Sequence, residues 1–191
     1  MMNFNFNVSE LIFILPELFL LSAISFILLF DLFVSEKYKK YSYHLSQLAL
    51  IITGFLAFNL IGESATIFSG TFVLDNLGST FKVFVLGFSV IALVYSRQYL
   101  IVHELLKNEY FILALMSILG MMVMISGHSL LTLYLGLEIM SLSLYALIAT
   151  ARDRAFAIEA ALKYFVLGAI ASGLLLYGMS MIYGITGGLD I

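Results

Sequence analysis

Three charged side chains fall inside long apolar stretches of the sequence, where a charge is costly. Glu138 lies within LYLGLEIMSLSLYAL, and Lys82 and Lys163 lie within two other such stretches. A charge at the centre of a bilayer costs about 2.5–3.5 kcal/mol on insertion scales, so such residues are rare and usually functional. An acid next to an ammonium group in a low-dielectric site binds or releases its proton according to its contact with that partner. These residue types therefore indicate proton transfer.

Glu138 and Lys163 are predicted to lie at similar depths on consecutive antiparallel helices. Glu138 comes 12 residues before Thr150, which places it roughly 18 Å from that end at a rise of 1.5 Å per residue. Lys163 comes 8 residues after Ala155, roughly 12 Å from the same end. We predict that the two form an ion pair that acts as an element of a proton relay. The alternatives are a static buried ion pair or partners on other subunits.

Lys82 and His128 have two interpretations each, functional or structural. Lys82, a few residues inside the outer end of its stretch, either takes part in proton transfer or extends its ammonium group to the surface. His128, in a short loop, is either solvated or part of a proton path. Glu17 and Asp31 lie near the two ends of the first apolar stretch, where we expect contact with water.

Membrane-spanning helices are the elements that must position these residues. The chain has 191 residues, of which 62% are hydrophobic and 11% charged, whereas soluble domains carry about 25% charged residues. A helix needs about 20 mostly apolar residues to cross the hydrocarbon core. The predicted spans are approximately residues 11–34, 45–61, 72–96, 110–126, 130–150 and 156–183. We therefore predict an all-α fold: a single polytopic bundle over residues 1–191, with about six transmembrane helices and no soluble catalytic domain.

The charges of the predicted loops orient this bundle. The loops on one side hold seven cationic residues, and the other side has none; the seven are Lys37, Lys39, Lys40, Arg97, Lys107, Arg152 and Arg154. By the positive-inside rule the basic side faces the cytoplasm or matrix, and both termini lie opposite. No basic patch suited to nucleic acid is present. Without cysteine there is no Cys-ligated metal or Fe–S cluster, and we predict no metal or bound cofactor.

Several segments resemble the subunit N (subunit 2) family of the proton-pumping NADH:quinone oxidoreductase, respiratory complex I. They are LLTLYLGLEIMSLSLYALIA at 130–149, EAALKYFVLGAIASGLLLYGMSMIYGITGGLDI at 159–191 and FVLDNLGSTFKVF at 72–84. That family is antiporter-like and related to Mrp-type cation/proton antiporters. In it a Glu on the fifth helix and a Lys on a following helix form the ion pair of a half-channel. By motif, Glu138 and Lys163 take these positions.

The resemblance implies a subunit of a proton-translocating NADH:quinone oxidoreductase, a translocase, with no redox site of its own. NAD, FMN, Fe–S clusters and quinone would be bound elsewhere in the complex, and the partners would be other membrane subunits, the lipid bilayer and protons. The expected location is the bacterial inner membrane with a periplasmic N-terminus, or alternatively the mitochondrial inner membrane. Family members have roughly fourteen helices with inverted repeats, so we expect the N-terminal portion of such a fold. Two alternatives are an Mrp-type antiporter subunit and a truncated structural fragment that does not pump.

Overall fold

Long α-helices make up most of the chain. The computed structural model describes residues 8–33, 40–103 and 105–191. In chain order the helices of these residues are α1 (Leu15–Phe33), α2 (Lys40–Asn59), α3 (Asn76–Val102), α4 (Asn108–Ser126), α5 (Leu130–Ile148) and α6 (Ala155–Thr186). A 3-10 helix, Val8–Ile14, precedes α1. Two short strands, β1 (Ala65–Ile67) and β2 (Phe72–Leu74), lie between α2 and α3.

Five of the six described helices are long and apolar enough to cross a membrane, and α2 is the exception. Three small polar residues of α2 face the bundle: Ser42, Ser46 and Thr53 are fully buried. The hydroxyls of Ser46 and Thr53 donate to carbonyls one turn earlier, at 2.8 and 2.7 Å. The described residues therefore form a membrane helix bundle, as predicted from composition. That α2 is also a membrane span stays a prediction.

The apolar core lies between α1, α2, α3 and α4. Its buried members are mainly leucine and isoleucine, among them Leu20, Ile24, Leu50, Leu86, Leu93, Phe111, Leu115 and Met122. In the most apolar 18-residue segment of α4, 50% of the residues are buried, compared with 6% in the corresponding segment of α6. Helix α4, with the larger buried share, is therefore the central helix of the described bundle, and α6 lies at its periphery.

The segment before α3 corrects one prediction. The sequence predicts a loop up to residue 71 and a helix from residue 72, whereas β1 and β2 form an antiparallel hairpin in which Ile67 is paired with Phe72. Helix α3 begins later because Asp75 caps it: the carboxylate accepts a hydrogen bond from the Gly78 N–H at 2.7 Å. The predicted limit of the first helix, Val34, lies outside the described residues.

Main-chain hydrogen bonds join three distant segments at the end of the bundle that we call the outer end. The N–H of His128 donates to the carbonyl of Thr71 at 3.0 Å, and the N–H of Leu130 donates to that of Leu189 at 2.8 Å. The hairpin, the α4–α5 turn and the segment after α6 therefore share one end, as the alternation of predicted loops requires.

Side-chain contacts join the helices at the opposite end, which we call the inner end. Asp31 Oδ1 accepts hydrogen bonds from Ser42 and from Asn108, the latter at 3.3 Å, so that α1, α2 and α4 are linked. Arg152 binds Glu109 at 3.0 Å. Asp31 is thus partly buried by its neighbours rather than simply facing water. The side chains of Lys37, Lys39 and Lys40 lie outside the described residues.

Candidate functional site

Helix α5 carries Glu138, and its position is set by a cap and a close helix crossing. The helix begins at Leu130 because the Ser129 hydroxyl accepts a hydrogen bond from the Thr132 N–H at 3.1 Å. A Cβ atom added to Gly136 would lie 2.6 Å from Met124 Cγ on α4, which leaves no room for a side chain. The backbones of α4 and α5 therefore approach closely just before Glu138.

The carboxylate of Glu138 is partly enclosed and incompletely bonded. Its Oε1 atom is inaccessible to solvent and has no hydrogen-bond partner within the described parts of the chain. One turn earlier, the Tyr134 hydroxyl lies 3.3 Å from Ser172 Oγ on α6. An unpartnered buried polar atom is costly and calls for a functional or structural explanation. Glu138 therefore has an unused acceptor inside a membrane span, one turn from a polar contact between α5 and α6.

Lys163 does not pair with Glu138 in this structure. Its Nζ atom lies 2.6 Å from Glu159 Oε1, one turn earlier on α6, and the two side chains are 71% and 62% exposed. Among the described residues no ion pair joins Lys163 to Glu138, so the predicted contact is not formed. Lys163 contacts Glu159 because residues four apart on one helix lie side by side. A contact with Glu138 would require the Lys163 side chain to reach a neighbouring helix.

The interface between α5 and α6 is formed by small residues against aromatic rings. A Cβ atom on Gly168 would lie 1.8 Å from the Tyr145 hydroxyl. The Tyr145 ring packs edge-on against Tyr164 and Phe165, with ring centroids 4.8 and 5.9 Å apart. This packing fixes the two helices that carry the predicted relay residues.

Lys82 forms a buried ion pair that reasoning from the sequence does not foresee. Its ammonium group contacts the carboxylate of Glu17 on α1, and the two side chains are only 1% and 6% exposed. The ammonium also lies 5.0 Å from the centroid of the Phe72 ring in β2. Lys82 therefore does not extend to the surface, and the expectation that Glu17 contacts water is wrong.

Few other polar groups support this ion pair. Beyond their mutual contact, the Glu17 oxygens and Lys82 Nζ have no hydrogen-bond partner among the described residues, and the nearby Ser79 hydroxyl is also buried without one. A signal for the pair was present in the sequence: charges of opposite sign lie near the outer ends of the first and third apolar stretches. Which helices are neighbours, however, depends on tertiary packing.

His128 lies in the α4–α5 turn with an exposed side chain. Its main chain is bound to Thr71, and its role in a proton path stays a prediction. In the described ranges no three His, Asp or Glu side chains come together in a group that could hold a metal ion.

Comparisons with known proteins agree with this architecture. The family described as NADH:quinone oxidoreductase/Mrp antiporter, TM, matches residues 127–191, which include α5 and α6. NADH-quinone oxidoreductase subunit N of Ruthia magnifica subsp. Calyptogena magnifica is 66% identical over 187 residues, covering 97% of this chain and 39% of that protein. The subunit N of Thioalkalivibrio sulfidiphilus is 50% identical over 187 residues, with the same shares.

A solved structure of respiratory complex I from Thermus thermophilus with bound aureothin contains a chain of the same fold. It matches with a TM-score of 0.75 and 26% identity over 92% of this chain and 38% of that chain. The fold and the site thus define an antiporter-like membrane helix bundle. Over nearly its whole length this chain is similar to the subunit N proteins of NADH-quinone oxidoreductases, and it spans about two fifths of the length of the relatives it matches.

Proposed function

We propose that this chain is part of an antiporter-like subunit of an NADH:quinone oxidoreductase and contributes a half-channel for proton translocation. The observation that carries the proposal is Glu138, an acid inside the membrane-spanning helix α5 with a buried, unpartnered oxygen. It lies in the region matched by the NADH:quinone oxidoreductase/Mrp antiporter family. Proton movement would be coupled to electron transfer from NADH to quinone in other subunits.

In the proposed relay, Lys163 alternates between Glu159 and Glu138. The contact with Glu159 joins residues four apart on α6, and both side chains are mostly exposed on the surface of the described bundle. Because neither side chain is packed into the bundle, Lys163 can change its partner without repacking of the described helices. Since the proton affinity of an acid depends on the distance of a neighbouring cation, this exchange would move a proton on and off the carboxylate.

Lys82 and His128 have less support as relay residues. Lys82 is held by Glu17 near the outer end, and no described contact links this pair to Glu138. We therefore place Lys82 outside the relay. His128 stays a candidate because its side chain is exposed in the turn that leads into α5.

The wider complex would supply the redox chemistry. We propose that NAD, FMN, Fe–S clusters and quinone bind to other subunits. For the clusters the reason is that this chain has no cysteine to ligate them. Other membrane subunits, the bilayer and protons would be its partners. The bacterial sources of the relatives support a bacterial inner membrane, and the basic inner end supports a periplasmic N-terminus. A mitochondrial inner membrane remains the alternative.

The test is Glu138→Gln in the full-length subunit, assembled in the complete complex. Inverted membrane vesicles are energised with NADH, and proton uptake is measured together with NADH oxidation. Because loss of a positioned proton-transfer group typically costs about 10²–10⁴-fold, we expect pumping and turnover to fall at least about tenfold. The matched control is Glu109→Gln, which neutralises an exposed acid at the inner end and should leave both rates near those of the wild type.

Assembly is checked on native gels before the rates are compared. If assembled Glu138→Gln complexes pump and turn over like the wild type, Glu138 is a structural buried acid and the relay is refuted. A subunit still needed for assembly would then fit the alternative of a structural fragment that does not pump.

A cation/proton antiporter is the second candidate, because the matched family includes Mrp antiporters. An antiporter would exchange protons for Na⁺ in vesicles without NADH, whereas the oxidoreductase subunit would require NADH. Proton flux driven by a Na⁺ gradient alone would therefore favour this alternative.

A further inference from the structure

A cavity of about 1000 Å³ opens at the inner end, between parts of the chain far apart in sequence. Leu28, Asp31 and Leu32 of α1 form one wall, and Arg97 near the end of α3 lies on another. Residues around the start of α4 and the end of α5 complete the lining. Since these are the ends of membrane-spanning helices, the cavity lies where hydrocarbon meets lipid headgroups. Its volume falls at the upper end of the range for small-molecule sites.

Most charges in the cavity wall neutralise each other. Arg152 binds Glu109 at 3.0 Å. Lys107 lies 3.8 Å from Asp153 Oδ2, and its ammonium group also donates to the Thr150 carbonyl at 2.9 Å. These contacts leave two wall charges, Arg97 and Asp31, without an ion-pair partner among the described residues.

Arg97 is suited to bind a phosphate group. Its guanidinium carbon lies 4.4 Å from the centroid of the Tyr43 ring, over the ring face. A guanidinium stacked in this way keeps its in-plane N–H donors available for bidentate binding of phosphate. The neighbouring wall therefore offers a cation held against Tyr43, and no hydrogen bond from its guanidinium to another described residue is observed.

Asp31 offers the opposite charge. Its Oδ1 atom is occupied by the neutral donors Ser42 and Asn108. Its Oδ2 atom is buried and has no hydrogen-bond partner in the described ranges. A primary ammonium group could donate to this oxygen, whereas a quaternary ammonium has no N–H to give.

We propose that this cavity binds a phospholipid with a primary-amine headgroup, of the phosphatidylethanolamine type. The phosphate would bind to Arg97 and the ammonium to Asp31, which matches the one positive and one negative charge left in the wall. The acyl chains would lie against Leu28 and Leu32, which are 49% and 71% exposed. Basic pockets between transmembrane helices bind anionic lipid headgroups, whereas the one positive and one negative charge left in this wall fit a zwitterionic headgroup. The site is independent of the proposed proton relay.

The experiment uses the full-length subunit in vesicles of equal parts phosphatidylethanolamine, phosphatidylglycerol and phosphatidylcholine. The subunit is extracted in mild detergent, and the retained lipids are counted by native mass spectrometry. We expect phosphatidylethanolamine to be retained in preference to the other two. Removing a single favourable charge, worth about 1 kcal/mol near the surface, should lower retention by about fivefold in Arg97→Gln. Asp31→Asn should retain phosphatidylethanolamine and phosphatidylcholine equally.

The matched control is Arg154→Gln, which removes an exposed cation at the same end whose guanidinium donates to the His103 carbonyl at 3.0 Å, outside the cavity lining. It should retain lipid like the wild type. Retention of the three lipids in proportion to their abundance, or of none of them, by the wild-type subunit would overturn the proposal. This wild-type result overturns the proposal even if a variant fails to fold, and unchanged retention by folded Arg97→Gln and Asp31→Asn would overturn it as well.

Discussion

Replacing Glu17 and Lys82 by neutral side chains of similar size tests what the buried ion pair contributes. In Glu17→Met and Lys82→Met each substitution removes one charge and leaves the other buried. The structure provides little to compensate, because the two groups have no further hydrogen-bond partners in the described parts of the chain. The double variant removes both charges together and keeps most of the buried volume.

The expected size of the effect follows from the burial of both groups. Removing one member of a buried pair typically costs about 3–5 kcal/mol, whereas replacing both by apolar groups is often neutral or stabilising. The side chains of Lys82 and Glu17 are only 1% and 6% exposed, so the value for fully buried pairs applies to them. We therefore expect each single variant to lose about 3–5 kcal/mol of unfolding free energy. The double variant should lie within about 1 kcal/mol of the wild type.

The assay is equilibrium unfolding of the purified full-length subunit, titrated with SDS in mild detergent and followed by circular dichroism. The four proteins form a double-mutant cycle, whose interaction energy isolates the contact. The control cycle uses Glu159→Gln and Lys163→Met, because that pair is mostly exposed on the bundle surface and should show a smaller interaction energy than the buried pair. Single losses below about 1 kcal/mol that add in the double variant would refute the reasoning, since buried partners must be coupled.

Three smaller predictions concern the packing and start of α5, all measured as unfolding free energies in the same assay. Gly136→Val places side-chain atoms against Met124 and should cost about 1–3 kcal/mol or more, as overpacking does; a neutral result would contradict the close crossing of α4 and α5. Gly168→Ala should be destabilising because its methyl group meets the Tyr145 hydroxyl, and the loss should shrink when Tyr145 is first replaced by Leu. Ser129→Ala should cost about 1 kcal/mol by removing the helix cap, whereas Ser129→Asp should retain most of the stability.

The sequence predicts the helices well because the bilayer constrains them strongly. An apolar stretch of about 20 residues must satisfy its own backbone in hydrocarbon, so helix is the structure expected for it. The hairpin was missed for a related reason. Residues 72–74 are as apolar as the helix that follows them, so hydropathy does not distinguish strand from helix there. Only the N-cap residue Asp75 marks where the strand ends and the helix begins.

The partners of the charged side chains were harder to predict than their depths. The depth argument places Glu138 and Lys163 together, but it does not include the competition from Glu159 on the same helix. Glu17 and Lys82 lie on helices that are not consecutive in the sequence. Their contact therefore depends on how α1 and α3 pack, which hydropathy and loop charge do not specify.

The hydrogen bonds of the outer end have a consequence for the order of biogenesis. They join the hairpin, the α4–α5 turn and the segment after α6 through main-chain groups, including Leu130 N–H to Leu189 O at 2.8 Å. The ribosome makes the residues of that last segment well after the hairpin and the turn, and α6 must first cross the membrane to deliver them. The N–H of Leu130 therefore waits for its partner until the sixth helix has been inserted. Until then the translocon, water or another protein must accept a hydrogen bond from this N–H group. The hydrogen bonds at the outer end of the bundle are complete only after α6 has been inserted.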